Sequence, residues 1–106
     1  MTFIECRING NNLKLKVTKR KFVEGRGKWT DESHRTVKTH CDNIWPWRFM
    51  KPGQCVTVPY EYASYKQMQN SINGFTRHAY GAKFRYRSEA DGLSVWCIEE
   101  RLDYEV

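Results

Sequence analysis

Apolar and polar residues alternate in two short stretches near the start of the chain. The apolar positions are 4, 6 and 8 in the first stretch and 13, 15 and 17 in the second. Between them lies Asn9-Gly10, and an Asn-Gly pair readily adopts the positive φ angles of a tight hairpin turn. A period of two is typical of a half-buried strand. The pattern therefore predicts a β-hairpin within residues 1–23, with Lys14 and Lys16 on its exposed face.

Residues 24–43 show no such pattern. They hold few apolar side chains, and Gly25 and Gly27 flank Arg26. We predict a long loop, with a short strand near Arg35 to His40. Loops of this length in small domains are often functional.

Large side chains return at Ile44 and continue to Met50. Pro46 excludes a helix interior from this segment. Pro52-Gly53 is typical of a tight turn, since proline presets φ at one central position and glycine suits the next. The residues from Cys55 to Val58 then predict a strand.

The clearest helical signal covers residues 64–80. Apolar residues at 65, 68, 72, 75 and 79 fall at steps of three and four, which places them on one helical face. Ser64 and Gln67 have the spacing of a capping box, and Gly81 suits the position after a helix end. Gly74 costs about 1 kcal/mol relative to alanine within a helix, so we expect it to mark close packing.

A second alternating pair of stretches follows the predicted helix. Phe84 and Tyr86 alternate with basic residues, Asp91-Gly92 has the character of a hairpin turn, and apolar residues recur at 93, 95 and 97. We expect the helix to pack on the inward face of the sheet, which comprises Val56, Val58, Phe84, Tyr86 and Val95.

These elements predict one α+β domain spanning residues 1–106. Its small antiparallel sheet comprises an N-terminal hairpin, a central strand and a C-terminal hairpin, all packed on one main helix at about 64–80. Along the chain, the expected parts are a basic hairpin at 1–23, a long loop at 24–43, a strand-helix-strand-strand core at 44–98 and an acidic tail at 99–106.

Charge is distributed unevenly along the 106 residues. Eighteen basic and twelve acidic residues give a net charge of +6. The segment 99–106 carries −3, which leaves +9 for residues 1–98. This balance favours anionic partners. No window reaches about 18 apolar residues, and the first residues do not resemble a signal peptide, so we expect no membrane association.

Cysteine and histidine spacing does not favour a metal site or a catalytic site. The four cysteines are widely spaced and lack the close pairs typical of zinc sites, so we interpret them as thiols in a reducing cytosol. His34 and His40 beside Cys41 form only a sparse cluster. Since no nucleophile and base share a recognisable pattern, and His78 is interpreted as a surface residue, we predict a non-enzymatic protein without a cofactor or small-molecule substrate.

Several short motifs between residues 44 and 98 occur in a fixed order. They are Trp45-Pro46-Trp47, Lys51-Pro52-Gly53-Gln54, Val58-Pro59, Tyr80-Gly81-Ala82-Lys83-Phe84 and Asp91-Gly92 with Val95-Trp96. The order resembles that of small uncharacterised proteins of tailed bacteriophages. The resemblance covers about half of the chain and implies a phage accessory module that acts in the host cytoplasm.

Basic residues cluster in two places, which are our candidate binding residues. The first cluster lies between residues 13 and 28 and comprises Lys14, Lys16, Lys19, Arg20, Lys21, Arg26 and Lys28. The second places Arg85 and Arg87 beside Trp96 across the predicted hairpin, with Lys66 and Arg77 of the helix adding to it. Such cations neutralise phosphates, and exposed aromatic rings stack on bases.

Each candidate also has a structural interpretation. Lysines protect exposed strand edges from aggregation, and a tryptophan such as Trp96 is seldom fully exposed, so an arginine or the N-terminal hairpin could cover it. Trp45-Pro46-Trp47 could pack against the helix or act as a binding wedge. We therefore hypothesise an accessory protein that binds nucleic acid or a host protein associated with it. The alternative is a protein-binding inhibitor of a host enzyme or defence complex, anchored by aromatic and arginine side chains.

Overall fold

A computed structural model describes residues 2–22, 27–31, 36–78 and 83–99 of the chain. These residues form an α+β fold with two small antiparallel sheets and one α-helix. In chain order the elements are β1 (Phe3–Ile8), β2 (Asn11–Lys16), a 3-10 helix (Pro46–Phe49), β3 (Cys55–Val58), α1 (Tyr65–His78), β4 (Lys83–Glu89) and β5 (Gly92–Glu99). The predicted fold class is therefore confirmed.

Strands β1 and β2 form the predicted N-terminal hairpin. Asn9 and Gly10 make the two-residue turn with φ angles of 50° and 86°, the positive values that this turn requires. Apolar side chains at positions 4, 6 and 8 are buried, while Lys14 and Lys16 on β2 are exposed. The period of two thus sets which side of the hairpin faces the core.

The second sheet has the strand order β3-β5-β4, so β5 lies in the centre. Direct partners in this sheet include Val56 with Val95 and Tyr86 with Val95. These residues face α1 together with Val58 and Phe84, which confirms the predicted inward face. The chain connects β4 and β5 directly as a hairpin, whereas β3 reaches β5 only after α1.

Helix α1 starts as the spacing predicts and turns Met68 and Ile72 into the core. The Ser64 hydroxyl accepts the backbone N–H of Gln67 at 3.1 Å, which is half of the expected capping box. The Gln67 side chain instead hydrogen-bonds to Asn9 in the first hairpin turn. The predicted helix end at residues 79–81 lies outside the described residues.

Three local predictions require correction. The turn between β4 and β5 is Ala90-Asp91, because Gly92 already pairs with Glu89 as the first residue of β5. Gly74 does not mark close packing, since a Cβ at this position would meet no heavy atom within 4 Å. The described residues 36–40 contain no strand, so the strand expected near His40 is absent from that range.

The tryptophan-rich segment packs against the helix, as its structural interpretation predicted. Pro46 occupies the first turn of the 3-10 helix, where a missing N–H has no cost. Trp47 is buried and donates its indole N–H to the hydroxyl of Ser71 on α1 at 3.0 Å. Trp45 stacks on Trp47 with ring centroids 5.0 Å apart. The segment therefore closes one end of the core.

Both sheets share one hydrophobic core. Residues of β1, including Ile4 and Ile8, belong to the same buried cluster as Val56 and Met68. The backbones of the two sheets meet at Thr18, two residues beyond β2. Thr18 and Cys55 exchange N–H···O=C hydrogen bonds of 2.9 and 2.8 Å, an antiparallel bridge that joins the hairpin to β3.

Within the described ranges, no helix combines the length and the apolar character needed to cross a membrane.

Candidate functional site

The side of the strands that faces away from α1 is rich in polar and charged residues. We call it the polar sheet face. In the three-stranded sheet its members alternate with the core residues of each strand. They are Cys55 and Thr57 on β3, Arg85, Arg87 and Glu89 on β4, and Ser94 and Trp96 on β5. Arg85 lies opposite Trp96, as predicted, and Arg87 lies opposite Ser94.

The polar sheet face continues onto the first hairpin through the Thr18–Cys55 bridge. Direct partners in an antiparallel bridge point to the same side, so Thr18 shares a side with Cys55. Alternate residues along an extended strand also share a side, which places Lys14 and Lys16 with Thr18. The two basic segments of the sequence therefore lie on one surface.

Arg20 covers Trp96 on this surface. The guanidinium carbon lies 4.9 Å from the centre of the indole ring, and the backbone carbonyl of Arg20 accepts the indole N–H at 2.8 Å. Phe22 meets the same ring edge to face at 5.0 Å. Trp96 is only 3% exposed, so it supports Arg20 and cannot stack on a base in this arrangement. Trp96 therefore lies under an arginine, which is the structural interpretation given for it from the sequence.

Glu89 forms an ion pair with the guanidinium of Arg20. Its carboxylate accepts a hydrogen bond from the guanidinium at 2.6 Å and another from the hydroxyl of Ser94. Partial burial alone would raise the pKa of Glu89, but the hydrogen bonds from Arg20 and Ser94 and the nearby charge of Arg87 lower it overall. The pair partly neutralises Arg20 and holds its guanidinium beside the ring of Trp96.

A cleft of about 360 Å³ opens beside this ion pair, lined by Arg20, Lys21, Arg87, Glu89 and Trp96. Four of these five residues were candidates from the sequence. Three of them are cations and one carboxylate opposes them, so the cleft has an excess of positive charge. The Nε of Arg87 is buried, whereas the side chain of Arg85 is exposed to solvent.

The remaining candidates occupy different positions. Lys19 is exposed beside the bridge, and Lys28 is exposed at the outer edge of β4, where its backbone N–H donates to Ser88 at 2.7 Å. Arg26 lies outside the described residues. Lys66 does not join the second basic cluster, because it is on α1, on the opposite side of the sheet from Arg85. The side chain of Arg77 lies outside the described part.

Titratable side chains do not converge on a metal site in the part of the chain that the structure describes. Cys6, Cys55 and Cys97 are buried free thiols, whereas Cys41 is an exposed one. Burial raises the pKa of Cys6 to about 11. The buried thiols therefore behave as small apolar side chains.

Comparisons with protein-family models, with curated proteins and with solved structures found no significant match for the chain.

Sequence reasoning missed two exposed phenylalanines near the lysines of the hairpin. Phe3 is 43% exposed and lies opposite Lys16, and Phe49 is 49% exposed at the end of the 3-10 helix. Phe3 could have been found, because it alternates in phase with the exposed residues Glu5 and Arg7. No sequence pattern signals the exposure of Phe49, since it depends on how the 3-10 helix docks.

Proposed function

We propose that this chain is a non-enzymatic, phage-type accessory protein that binds nucleic acid through the polar sheet face. One observation carries the proposal: the Thr18–Cys55 bridge brings two basic segments, far apart in the sequence, onto one surface. Cations distributed across a single face can contact several phosphates at once.

The charge of the polar sheet face supports the same proposal. Lys14, Lys16, Arg20, Arg85 and Arg87 are among its described cations. The two lysines alternate along β2 and Arg85 and Arg87 along β4, whereas Arg20 follows β2 and lies over Trp96. Glu89 is engaged with Arg20 at 2.6 Å. Because these cations outnumber the carboxylates on the same side, Glu5 and Glu89, the surface keeps a positive field that attracts phosphates. The host cytoplasm, where phage nucleic acid is replicated and expressed, is the proposed location.

Fluorescence anisotropy with labelled single- and double-stranded oligonucleotides tests this proposal. We expect binding at about 50 mM salt that weakens steeply toward about 200 mM, because bound phosphates release counterions. The variant Lys14→Ala/Lys16→Ala removes charge from the hairpin, and Arg85→Ala removes it from β4. Each removed contact should weaken binding to all sequences and reduce the slope of log K against log salt by about 1.

Lys66→Ala is the matched control, because Lys66 is an exposed cation on the opposite side of the sheet. Its affinity and salt slope should equal those of the unmodified protein. The proposal is refuted if no oligonucleotide binds at about 50 mM salt, or if Lys66→Ala weakens binding as much as Arg85→Ala. In the first case, the alternative of a protein-binding inhibitor would gain support from capture of one host protein.

A further inference from the structure

A second cleft lies between the first hairpin and the 3-10 helix. Its volume is about 660 Å³, and the side chains around it include Phe3, Glu5, Lys14, Phe49, Lys51 and Gln54. Phe3, Glu5 and Lys14 point outward from the hairpin, on the same side as the polar sheet face. A single exposed phenylalanine is ordinary on a protein surface, but two that share one cleft form an apolar site.

Each of the two exposed rings has a cation next to it. The Nζ of Lys14 lies 5.1 Å from the centre of the Phe3 ring, and the guanidinium carbon of Arg48 lies 5.5 Å from that of Phe49. Lys51 brings a third cation to the cleft, and Glu5 brings its one acidic side chain among the described lining residues. The cleft thus combines flat apolar rings with an excess of positive charge.

Both rings are held on rigid parts of the fold. Phe3 pairs with Lys16 within the β1–β2 ladder. Phe49 ends the 3-10 helix, and its neighbours Trp47 and Met50 are buried in the core. Because the backbone at both positions is already ordered, a ligand that stacks on these rings has to order only the side chains.

We propose that this cleft stacks unpaired bases of a single-stranded nucleic acid on Phe3 and Phe49, while Lys14, Arg48 and Lys51 contact the adjoining phosphates. The inference rests on the proposed function and names the class of nucleic acid that the surface prefers. In a duplex the bases already stack on each other and their faces are covered. Only a single strand presents a free base face to an aromatic ring, and this contact is tolerant of sequence.

The test compares four labelled probes of equal length, about 15 nucleotides: a DNA strand, an RNA strand of the same sequence, a DNA duplex and an abasic DNA strand. Phe3→Leu and Phe49→Leu keep an apolar side chain but remove the aromatic face. We expect each variant to bind the intact single strands about tenfold more weakly, with unchanged binding to the duplex and the abasic strand. The DNA and RNA arms identify which strand is preferred.

Trp29→Leu is the matched control, because Trp29 is also 49% exposed but packs edge to face on Tyr65 of α1 at 4.7 Å. It should bind every probe like the unmodified protein. Unfolding midpoints of all three variants are measured, and equal midpoints exclude loss of fold as the cause of weaker binding.

Failure of this inference is distinguishable from failure of the proposed function. If the unmodified protein binds none of the probes at about 50 mM salt, both are refuted. If it binds intact, abasic and duplex probes equally, and both phenylalanine variants match it, the stacking cleft is refuted while the proposed function stands. Sedimentation tests a third outcome. If the unmodified protein is a dimer, and the two phenylalanine variants are monomers that bind every probe normally, the cleft is a contact between copies and the inference is overturned.

Discussion

The side-chain amides of Asn9 and Gln67, 58 positions apart, hydrogen-bond to each other in both directions. Asn9 Nδ2 donates to Gln67 Oε1 at 2.8 Å, and Gln67 Nε2 donates to Asn9 Oδ1 at 3.0 Å. Asn9 Nδ2 also donates to the backbone carbonyl of Tyr62, and the backbone N–H of His40 donates to Asn9 Oδ1. One buried side chain thereby ties the first hairpin turn to the start of α1 and to the loop before the 3-10 helix.

We expect Asn9→Gly to lower the free energy of unfolding by about 2 kcal/mol, because several buried polar groups lose their partner. Asn9→Ala should cost about 1 kcal/mol more, since the φ of 50° at this position is strained for alanine. Urea unfolding measures both, with the exposed Asn12→Ala as the control that should change little. Equal stability of Asn9→Gly and the unmodified protein would contradict the structural role of the network.

Two glycine-to-alanine changes should have opposite effects. In Gly92→Ala, the new Cβ would clash with the Val58 carbonyl oxygen, and the φ of 144° is unfavourable for alanine. Backbone atoms must then move, and we expect a loss of about 3 kcal/mol or more. Gly74→Ala fills open space on α1 and should stabilise the protein by about 0.5–1 kcal/mol. Thermal unfolding of the two variants checks the sign of each stability change. Destabilisation by Gly74→Ala would contradict the open space described beside this glycine.

The ion pair of Arg20 and Glu89 should make stability depend on acid pH. A carboxyl group whose pKa is lowered on folding stabilises the folded state above its unfolded pKa, and this contribution is lost as the pH falls through the folded pKa. Glu89→Gln should therefore be less stable than the unmodified protein at pH 7, and the difference should shrink between about pH 5 and about pH 2. Denaturant unfolding across this range measures it.

The exposed Glu61→Gln is the control for loss of one surface carboxylate, and its stability at pH 7 should equal that of the unmodified protein. A constant difference between Glu89→Gln and the unmodified protein at all pH values would show that the lowered pKa of Glu89 does not contribute to stability.

Thiol labelling should distinguish Cys41 from the other three cysteines. Cys41 is exposed, whereas burial raises the pKa of Cys6 to about 11 and also raises the pKa of Cys55. The thiolate is the reactive form, so the folded protein should release about one equivalent of product quickly from a chromogenic disulfide reagent at about pH 8. Cys41→Ser should lose this fast phase, and denaturant should expose the remaining thiols. Rapid labelling of Cys41→Ser would contradict the burial of the others.

Local patterns predicted most of the fold because they depend on neighbours in the sequence. The period of two sets the buried side of both hairpins, and the steps of three and four set the face of α1. Asn9-Gly10 and Pro52-Gly53 form their turns because both have residues that tolerate the required φ angles. The turn between β4 and β5 was predicted one residue too late, at Asp91-Gly92 instead of Ala90-Asp91. Gly92 serves a close approach to Val58 that only the folded strands create.

The candidate site was less predictable, because its parts meet through contacts between distant residues. The sequence identified the cations, but the Arg20–Glu89 pair joins residues 69 positions apart and changes the charge that Arg20 presents. Likewise, the sequence did not decide whether Trp96 is exposed or covered, because the covering side chains of Arg20 and Phe22 lie more than 70 positions away. The exposure of Phe49 depends on how the 3-10 helix docks on the core, and no periodic sequence pattern predicts that docking.

The bridge between Thr18 and Cys55 has a consequence for when the polar sheet face is completed during synthesis. Hairpins form within about 1–10 μs from local contacts, but this bridge must close a separation of 37 residues and include β3. A nascent chain that carries only the first hairpin has its lysines but not the joined surface. A ligand bound across the bridge would preferentially stabilise the finished protein by mass action, so binding would mark chains that have completed folding.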